Sequence, residues 1–207
     1  MESDVAGFAL LATLLTIAPG QDTFLVLRNA SHGGFRAGVG TTAGVCSGLF
    51  LHASLSALGL SALVAASAAW FSAVKWMGAA YLVWLGVQSL SRVWRRPAAP
   101  AREPAAGRSS RSAFVQGFLS NALNANAIIF YLAVLPQFAV VRERVLIDSL
   151  ALGGIHFVIS FLWLALLSAL VERSRQLLAR PWVLRAVDAV AGVAFLGFGL
   201  RLALARR

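Results

Sequence analysis

Residues 5–27 read VAGFALLATLLTIAPGQDTFLVL, an apolar run in which Asp22 is the one charged residue. A membrane-spanning helix needs about 20 mostly apolar residues to cross about 30 Å of hydrocarbon. The run is long enough for that, and it carries Pro19 and Gly20 just before its carboxylate. Proline removes a backbone donor and glycine adds freedom. The run therefore predicts a membrane helix that is interrupted beside a charge.

The whole chain has the composition of a membrane protein. Hydrophobic residues make up 59% of its 207 residues and charged residues 13%, whereas a soluble domain carries about 25% charged residues. This argues against a soluble enzyme, a disordered tail and a nucleic-acid-binding domain. The net charge of +10 comes from basic residues between the apolar runs, where the positive-inside rule expects them. We therefore expect a lipid bilayer as partner, and no nucleic acid.

Apolar runs of spanning length recur along the chain and predict an all-α membrane protein with six transmembrane helices. The expected spans are residues 5–27, 38–65, 70–91, 112–141, 149–171 and 182–204. A segment rich in arginine and proline separates the third span from the fourth. We expect a single transmembrane domain made of a first three-helix repeat, a linker and a second three-helix repeat, at residues 1–91, 92–112 and 113–207.

Orientation follows from the distribution of lysine and arginine. With six spans, twelve of the 18 basic residues fall on the side of the linker, and the other six, Arg201 among them, fall on the opposite side. The positive-inside rule makes the linker side cytoplasmic, so both termini face outward. Because three is odd, the second triplet enters the membrane from the opposite side. An inverted repeat of this kind places substrate at interrupted helices near the bilayer midplane.

Both triplets carry their most polar intramembrane segment in their first helix. In the fourth span, three asparagines within six residues make local unwinding plausible. We predict that the two segments bind substrate. The alternatives are an ordinary proline kink and amides that join helices. The predicted binding residues are Pro19, Gly20, Gln21, Asp22, Asn121, Asn124 and Asn126.

Asp22 is the most informative of these residues. A charge at the bilayer centre costs about 2.5–3.5 kcal/mol on insertion scales, so it persists where it lines a polar cavity, pairs with a partner or takes up a proton. We predict proton coupling at Asp22, with His52 and His156 as relay groups in the middle helix of each half. The alternatives are a headgroup-level carboxylate near Arg28 and two satisfied interior histidines.

Enzyme chemistry is not expected. The single cysteine, Cys46, provides neither a disulfide framework nor a metal site, and the chain has no His-Glu-x-x-His motif. Ser47 and His52 lie five residues apart on one helix, a poor geometry for a catalytic dyad. We therefore predict no enzyme, no cofactor and no metal. A stripe of small residues at Gly40, Gly44 and Gly48 suits close helix packing and permits a homodimer.

Three stretches carry a family resemblance, namely Pro19–Asp22, Lys75–Gly86 and Phe118–Asn124. In these stretches the chain resembles the LysE/RhtB family of amino-acid exporters, and the resemblance covers nearly its whole length. Residues 19–22 are similar to the family's Pro-Gly-Pro-Asn/Asp element, with Gln21 in place of the second proline. The most specific match is the stretch from Lys75 to Gly86, which contains Gly-Ala-Ala-Tyr-Leu at residues 78–82. Further matches are His32–Gly38, Gly44, Gly48, His52, Gly59–Leu60 and Leu135–Phe138.

Two departures from the family pattern fall at the predicted site. Where the family has Asn-Pro-Lys, this chain has Asn124, Ala125 and Asn126. The loss of proline should weaken the break in the fourth span, and the loss of lysine removes a cation from the membrane. The resemblance implies a bacterial inner-membrane exporter of amino acids or related small metabolites, driven by proton exchange. An uncoupled facilitator and a non-transporting membrane scaffold are the alternatives.

Overall fold

A computed structural model describes residues 2–18, 20–58, 68–95, 110–138, 145–174 and 180–204. Within these ranges every regular element is helical, which confirms the predicted all-α class. Pro19 lies outside the described residues. The helices are α1 (Glu2–Ile17), α2 (Gln21–Ala57), α3 (Ala68–Arg95), α4 (Ser110–Ala122), α5 (Ala125–Ala133), α6 (Leu135–Phe138), α7 (Val145–Arg173) and α8 (Pro181–Leu204).

The helices differ in how clearly they qualify as membrane spans. Among the described residues, α7 and residues 182–204 of α8 are each long and apolar enough to cross a bilayer. Residues 5–17 and α2 qualify as a pair whose two members lie at 55° to each other. Leu162 and Val193 are each 65% exposed, as expected of side chains that face lipid. The count of six spans stays a prediction.

The first two predicted spans have different boundaries in the structure. The predicted first helix, residues 5–27, is broken after Ile17, and its second part belongs to α2. The predicted turn into the second helix shrinks to one residue, Gly34, whose φ of 72° and ψ of −170° interrupt α2. A positive φ favours glycine because glycine has no Cβ. The second arm of α2 ends at Ala57, earlier than predicted, and residues 59–67 lie outside the described part of the chain.

The predicted fourth span, residues 112–141, is also divided. Its first part, α4, starts slightly early at Ser110, and breaks at Leu123–Asn124 and Val134 separate it from α5 and α6. Both ends of the predicted linker are helical, because α3 continues to Arg95 and α4 starts within the predicted range. The central residues of the linker, 96–109, lie outside the described ranges.

Glycines bring α2 and α4 into backbone contact. A Cβ atom added at Gly44 would overlap the carbonyl oxygen of Phe114, and one added at Gly117 would overlap that of Thr41. The predicted stripe of small residues on α2 therefore packs against α4 within the chain, as small residues in membrane helices commonly do. This close approach fixes the end of α4 beside α2. The homodimer stays a prediction.

Two apolar clusters hold the helices around the breaks. One joins α1, the second arm of α2, α5, α6 and α7. The other joins the first arm of α2 to α3 and α8. The buried members of the first cluster are Phe8, Ala12, Leu49, Ala53, Phe130, Tyr131, Leu135 and Leu152. Those of the second are Leu25, Leu82, Leu85, Ala191 and Phe195.

Candidate functional site

The two interrupted helices meet in space. The first break separates α1 from α2, and Asp22 lies in the first turn of α2. The second break separates α4 from α5 at Leu123–Asn124. A carboxylate in the first turn of a helix is favoured by the unpaired N–H groups and the positive end of the helix dipole. Asp22 is therefore stabilised by its own helix before any tertiary contact is made.

The carboxylate of Asp22 accepts three hydrogen bonds from the second break. Its Oδ1 accepts from Ser120 Oγ at 2.7 Å. Its Oδ2 accepts from Asn121 Nδ2 at 2.9 Å and from Asn124 Nδ2 at 3.0 Å. Hydrogen bonds to an ionised acceptor are about twice as strong as neutral ones. The three donors thus replace part of the water that a carboxylate loses inside a membrane protein.

Gln21 links the same two segments one residue earlier. Its side chain is buried, and its Nε2 donates to the carbonyl oxygen of Ser120 at 2.6 Å and lies 3.4 Å from the Ser120 hydroxyl. The carbonyl groups at the C-terminal end of a helix lack intrahelical partners. The amide of Gln21 therefore supplies the hydrogen-bond donor that the Ser120 carbonyl lacks at the end of α4. Gln21 fixes the start of α2 against the end of α4.

The break after α4 does not depend on proline. Asn124 occupies the N-cap of α5 with φ −82° and ψ 106°, and its Oδ1 accepts from the backbone N–H of Asn126 at 3.0 Å. Asparagine is among the preferred N-cap residues. The break is therefore present with Ala125 in place of proline, because Asn124 both caps the new helix and binds Asp22 through its amide. Whether it is weaker than the family's break stays a prediction.

A cavity of about 180 Å³ lies at the two breaks. Of the residues predicted to bind substrate, all that the structure describes line it, and so does His156. The side chain of Asn126 is exposed, whereas that of Asn121 is 2% exposed. The predicted residues at the wall are Gly20, Gln21, Asp22, Asn121, Asn124, Asn126 and His156.

The two predicted relay histidines have different surroundings. His156 lies within hydrogen-bonding distance of Thr16 Oγ1 through Nε2, at 3.3 Å, and of the Tyr131 hydroxyl through Nδ1, at 3.0 Å. His52 Nε2 lies 2.9 Å from the carbonyl oxygen of Asn121. Because a carbonyl only accepts, this nitrogen of His52 carries a hydrogen. His52 is not part of the cavity wall, and its hydrogen bond joins the backbone of Asn121, whose side chain binds Asp22.

Several residues of the site were missed in the sequence. Ser120 binds Asp22 directly, Thr16 and Ser160 line the cavity 3.0 Å apart, and Arg201 lines it from the last turns of α8. Ser120 stands directly before the asparagine run, a signal that could have identified it. Hydroxyl residues in apolar helices commonly bond their own backbone, so Thr16 and Ser160 carry little signal. Arg201 resembles an ordinary charge at the end of a span.

A second buried polar group joins α2 to α3 and α8. His32 Nε2 lies 2.7 Å from Asp188 Oδ1, and Asp188 is fully buried. Arg28, also fully buried, donates to Gln88 Oε1 at 2.6 Å. None of these four residues lines the cavity. These contacts give the buried carboxylate of Asp188 and the buried guanidinium of Arg28 polar partners, which lowers the cost of burying them.

Comparison with known protein families shows where this chain belongs. The model of the LysE type translocator family matches residues 13–206, which include both breaks and every described residue that lines the cavity. The chain belongs to the LysE type translocator family. This is a family of membrane transporters, and the resemblance found in the sequence is confirmed.

Individual relatives match the chain from end to end. It is 31% identical over 200 residues to the homoserine/homoserine lactone efflux protein of Salmonella typhimurium, with 96% of this chain and 95% of the relative covered. It is 29% identical over 208 residues to the threonine efflux protein of Escherichia coli, with 96% of each covered. The membrane protein YrhP of Bacillus subtilis is 29% identical over 202 residues, covering 94% and 95%. No solved structure matches the chain.

Proposed function

We propose that this LysE type translocator exports an amino acid or a related small metabolite across the bacterial inner membrane in exchange for a proton. One observation carries the proposal. Asp22, at the first helix break, is bound by Ser120, Asn121 and Asn124 of the second break, and all but Ser120 line one cavity. Interrupted helices that meet at a polar cavity are a recurring form of transporter binding site.

The size of the cavity and the names of the relatives support a small amino acid as substrate. A cavity of about 150 Å³ holds benzene, so the cavity of about 180 Å³ is large enough for a molecule the size of threonine or homoserine. Relatives are named for the efflux of threonine and for the efflux of homoserine and homoserine lactone. We take these two amino acids as the first substrates to test.

Proton exchange follows from the hydrogen-bonding capacity of Asp22. An ionised carboxylate offers about four lone-pair sites. Three are occupied by Ser120, Asn121 and Asn124, which leaves one on Oδ1. That site can take either a substrate ammonium or a proton, but not both. A group that must release one cation to take up the other exchanges them across the membrane, and this competition is the basis of antiport.

The carboxylate of the substrate would be bound by other donors of the cavity wall. Half-helix N-termini carry the positive end of the helix dipole and free N–H groups. The start of α2 at Gln21 and the start of α5 at Asn126 and Ala127 both border the cavity. Gly20, Pro19 and the amide of Asn126 complete the proposed substrate site, with His52 and His156 as proton relays.

The architecture that we propose is the one expected from the sequence. Six spans form two inverted three-helix repeats, and a cytoplasmic linker joins them, leaving both termini periplasmic. The similar placement of the breaks, after Ile17 in the first half and after Ala122 in the second, supports the repeat. In this proposal the first repeat comprises residues 1–91, the linker residues 92–112 and the second repeat residues 113–207.

Transport by the purified protein in liposomes tests the function. Vesicles with an acidic lumen are given radiolabelled threonine or homoserine outside. An antiporter accumulates the label above equilibrium as protons leave. A facilitator equilibrates the label regardless of the pH difference but still shows counterflow. A membrane scaffold shows neither. Absence of both accumulation and counterflow for the two amino acids would overturn the proposal.

A further inference from the structure

The cavity wall contains one guanidinium group. Among the described residues that line it, Arg201 is the one lysine or arginine, and Asp22 is the one carboxylate. Arg201 lies three residues before the last residue of α8, and no described residue pairs with its guanidinium. It also lines a neighbouring cavity of about 190 Å³, together with Gln21, Asn124 and Asn126. Arg201 therefore lines both cavities that adjoin the second helix break.

Opposite charges in one cavity suit a zwitterion. An amino acid carries an ammonium and a carboxylate on the same carbon atom, and Asp22 has one acceptor site left for the ammonium. A guanidinium offers N–H donors in a planar fork that matches a carboxylate bidentately. The N-terminal turn of α5 at Asn126 and Ala127 adds positive potential on the same wall. The cavity thus has a separate partner for each charge of the substrate.

We propose that Arg201 recognises the substrate carboxylate and restricts this transporter to molecules with a free carboxylate. The inference rests on the proposed export function and deepens it, since it names the chemical feature that the site selects. Amides and esters of amino acids keep the ammonium but lose the anion. Such compounds can bind Asp22 through their ammonium, but they have no carboxylate for Arg201 to bind. An arginine that only reaches toward lipid headgroups would not distinguish these compounds.

The test compares threonine with threoninamide, which share the ammonium and the side chain. Their dissociation constants are measured by titration calorimetry on the purified protein in detergent. We expect the wild type to prefer threonine. In Arg201→Gln, threonine should bind at least about tenfold more weakly, as expected for the loss of a charged hydrogen-bond partner, while the affinity for threoninamide stays within about twofold. Arg201→Lys keeps the charge but loses the fork, so an intermediate loss is expected.

Matched controls separate the possible results. Arg173→Gln removes an exposed arginine of α7 outside the cavity wall and should change neither constant. Equal weakening of both compounds in Arg201→Gln, or no preference for threonine in the wild type, would overturn the assignment while leaving export intact. Where Arg201→Gln does not fold, Arg201→Lys provides the test, because it keeps the charge and loses only the planar fork. Wild-type affinity for threonine in Arg201→Lys and equal affinity for both compounds would then overturn the assignment. A wild type that neither binds nor transports threonine or homoserine would overturn the proposed function as well.

Discussion

Asn124 donates from Nδ2 to Oδ2 of Asp22 at 3.0 Å, although the two residues lie 102 positions apart in the sequence. Asp22 follows the first helix break and Asn124 is the N-cap that follows the second. Their hydrogen bond therefore joins the two interruptions directly. A substitution at either residue removes this hydrogen bond and should change the position of the other side chain. We therefore begin with substitutions at this pair.

The two roles of Asn124 can be separated by substitution. Serine keeps an N-cap acceptor but replaces the amide that donates to Asp22, whereas alanine removes both. We expect Asn124→Ala to be less stable than Asn124→Ser by roughly 1 kcal/mol. Both should slow threonine counterflow by about tenfold, since each loses a hydrogen bond to a charged group. Thermal unfolding and counterflow measure the two effects. Wild-type flux in Asn124→Ser would show that the amide is not needed at Asp22.

Gly48 leaves room for the side chain of Asn121. A Cβ added at Gly48 would lie 2.7 Å from Asn121 Oδ1 and 2.8 Å from Asn121 Cβ, closer than such atoms pack. We expect Gly48→Ala to displace the amide from Asp22 and to slow threonine counterflow, at a cost of about 1–3 kcal/mol in stability. Gly197→Ala is the matched control, because a Cβ there meets nothing within 4 Å. Equal flux in both variants would contradict this account.

Exchange of a zwitterion for a proton moves one positive charge per cycle. Threonine carries no net charge, so a membrane potential should drive its transport in liposomes. At equal pH on both sides, a lumen-positive potential set with potassium and valinomycin should draw protons out and threonine in. A potential of 100 mV corresponds to about 2.3 kcal/mol per charge, or roughly a 50-fold accumulation ratio. Accumulation that ignores the potential would exclude one-for-one exchange.

His52 and His156 are expected to serve proton movement rather than substrate binding. We predict that His156→Gln and His52→Gln retain threonine counterflow, which needs no net proton transfer. Both should lose most of the accumulation driven by an acidic lumen. His156 should show the larger loss because it lines the cavity, whereas His52 contacts Asp22 through Asn121. Unchanged accumulation in both variants would remove the histidines from the coupling route.

Local sequence signals identified most of the polar residues at the site. Asp22 follows a proline and a glycine in an apolar run, and the asparagines cluster in another. Such residues are costly in a membrane unless they are paired or line a polar space. The helix boundaries were predicted less well than the polar residues. Asn124 caps α5, so a helix starts there without a proline. Gly34 alone interrupts α2, where a longer turn was expected.

Residues that depend on tertiary contact were harder to recognise. Arg201 reads as a charge near the end of a span, and only the placement of α8 beside the second break brings it to the cavity. The pairing of His32 with Asp188 likewise joins residues 156 positions apart. Neither contact has a periodic or short-range signature, so a single sequence offers no pattern from which to derive it.

The most direct test of the central claim is proton-driven accumulation by Asp22→Asn. The amide keeps the shape of the side chain but carries no charge and takes up no proton. In vesicles with an acidic lumen, we expect Asp22→Asn to show no threonine accumulation above equilibrium, because the amide cannot exchange a proton for the substrate ammonium. Asp148→Asn, in the first turn of α7, should accumulate threonine like the wild type. Full accumulation by Asp22→Asn would contradict the account.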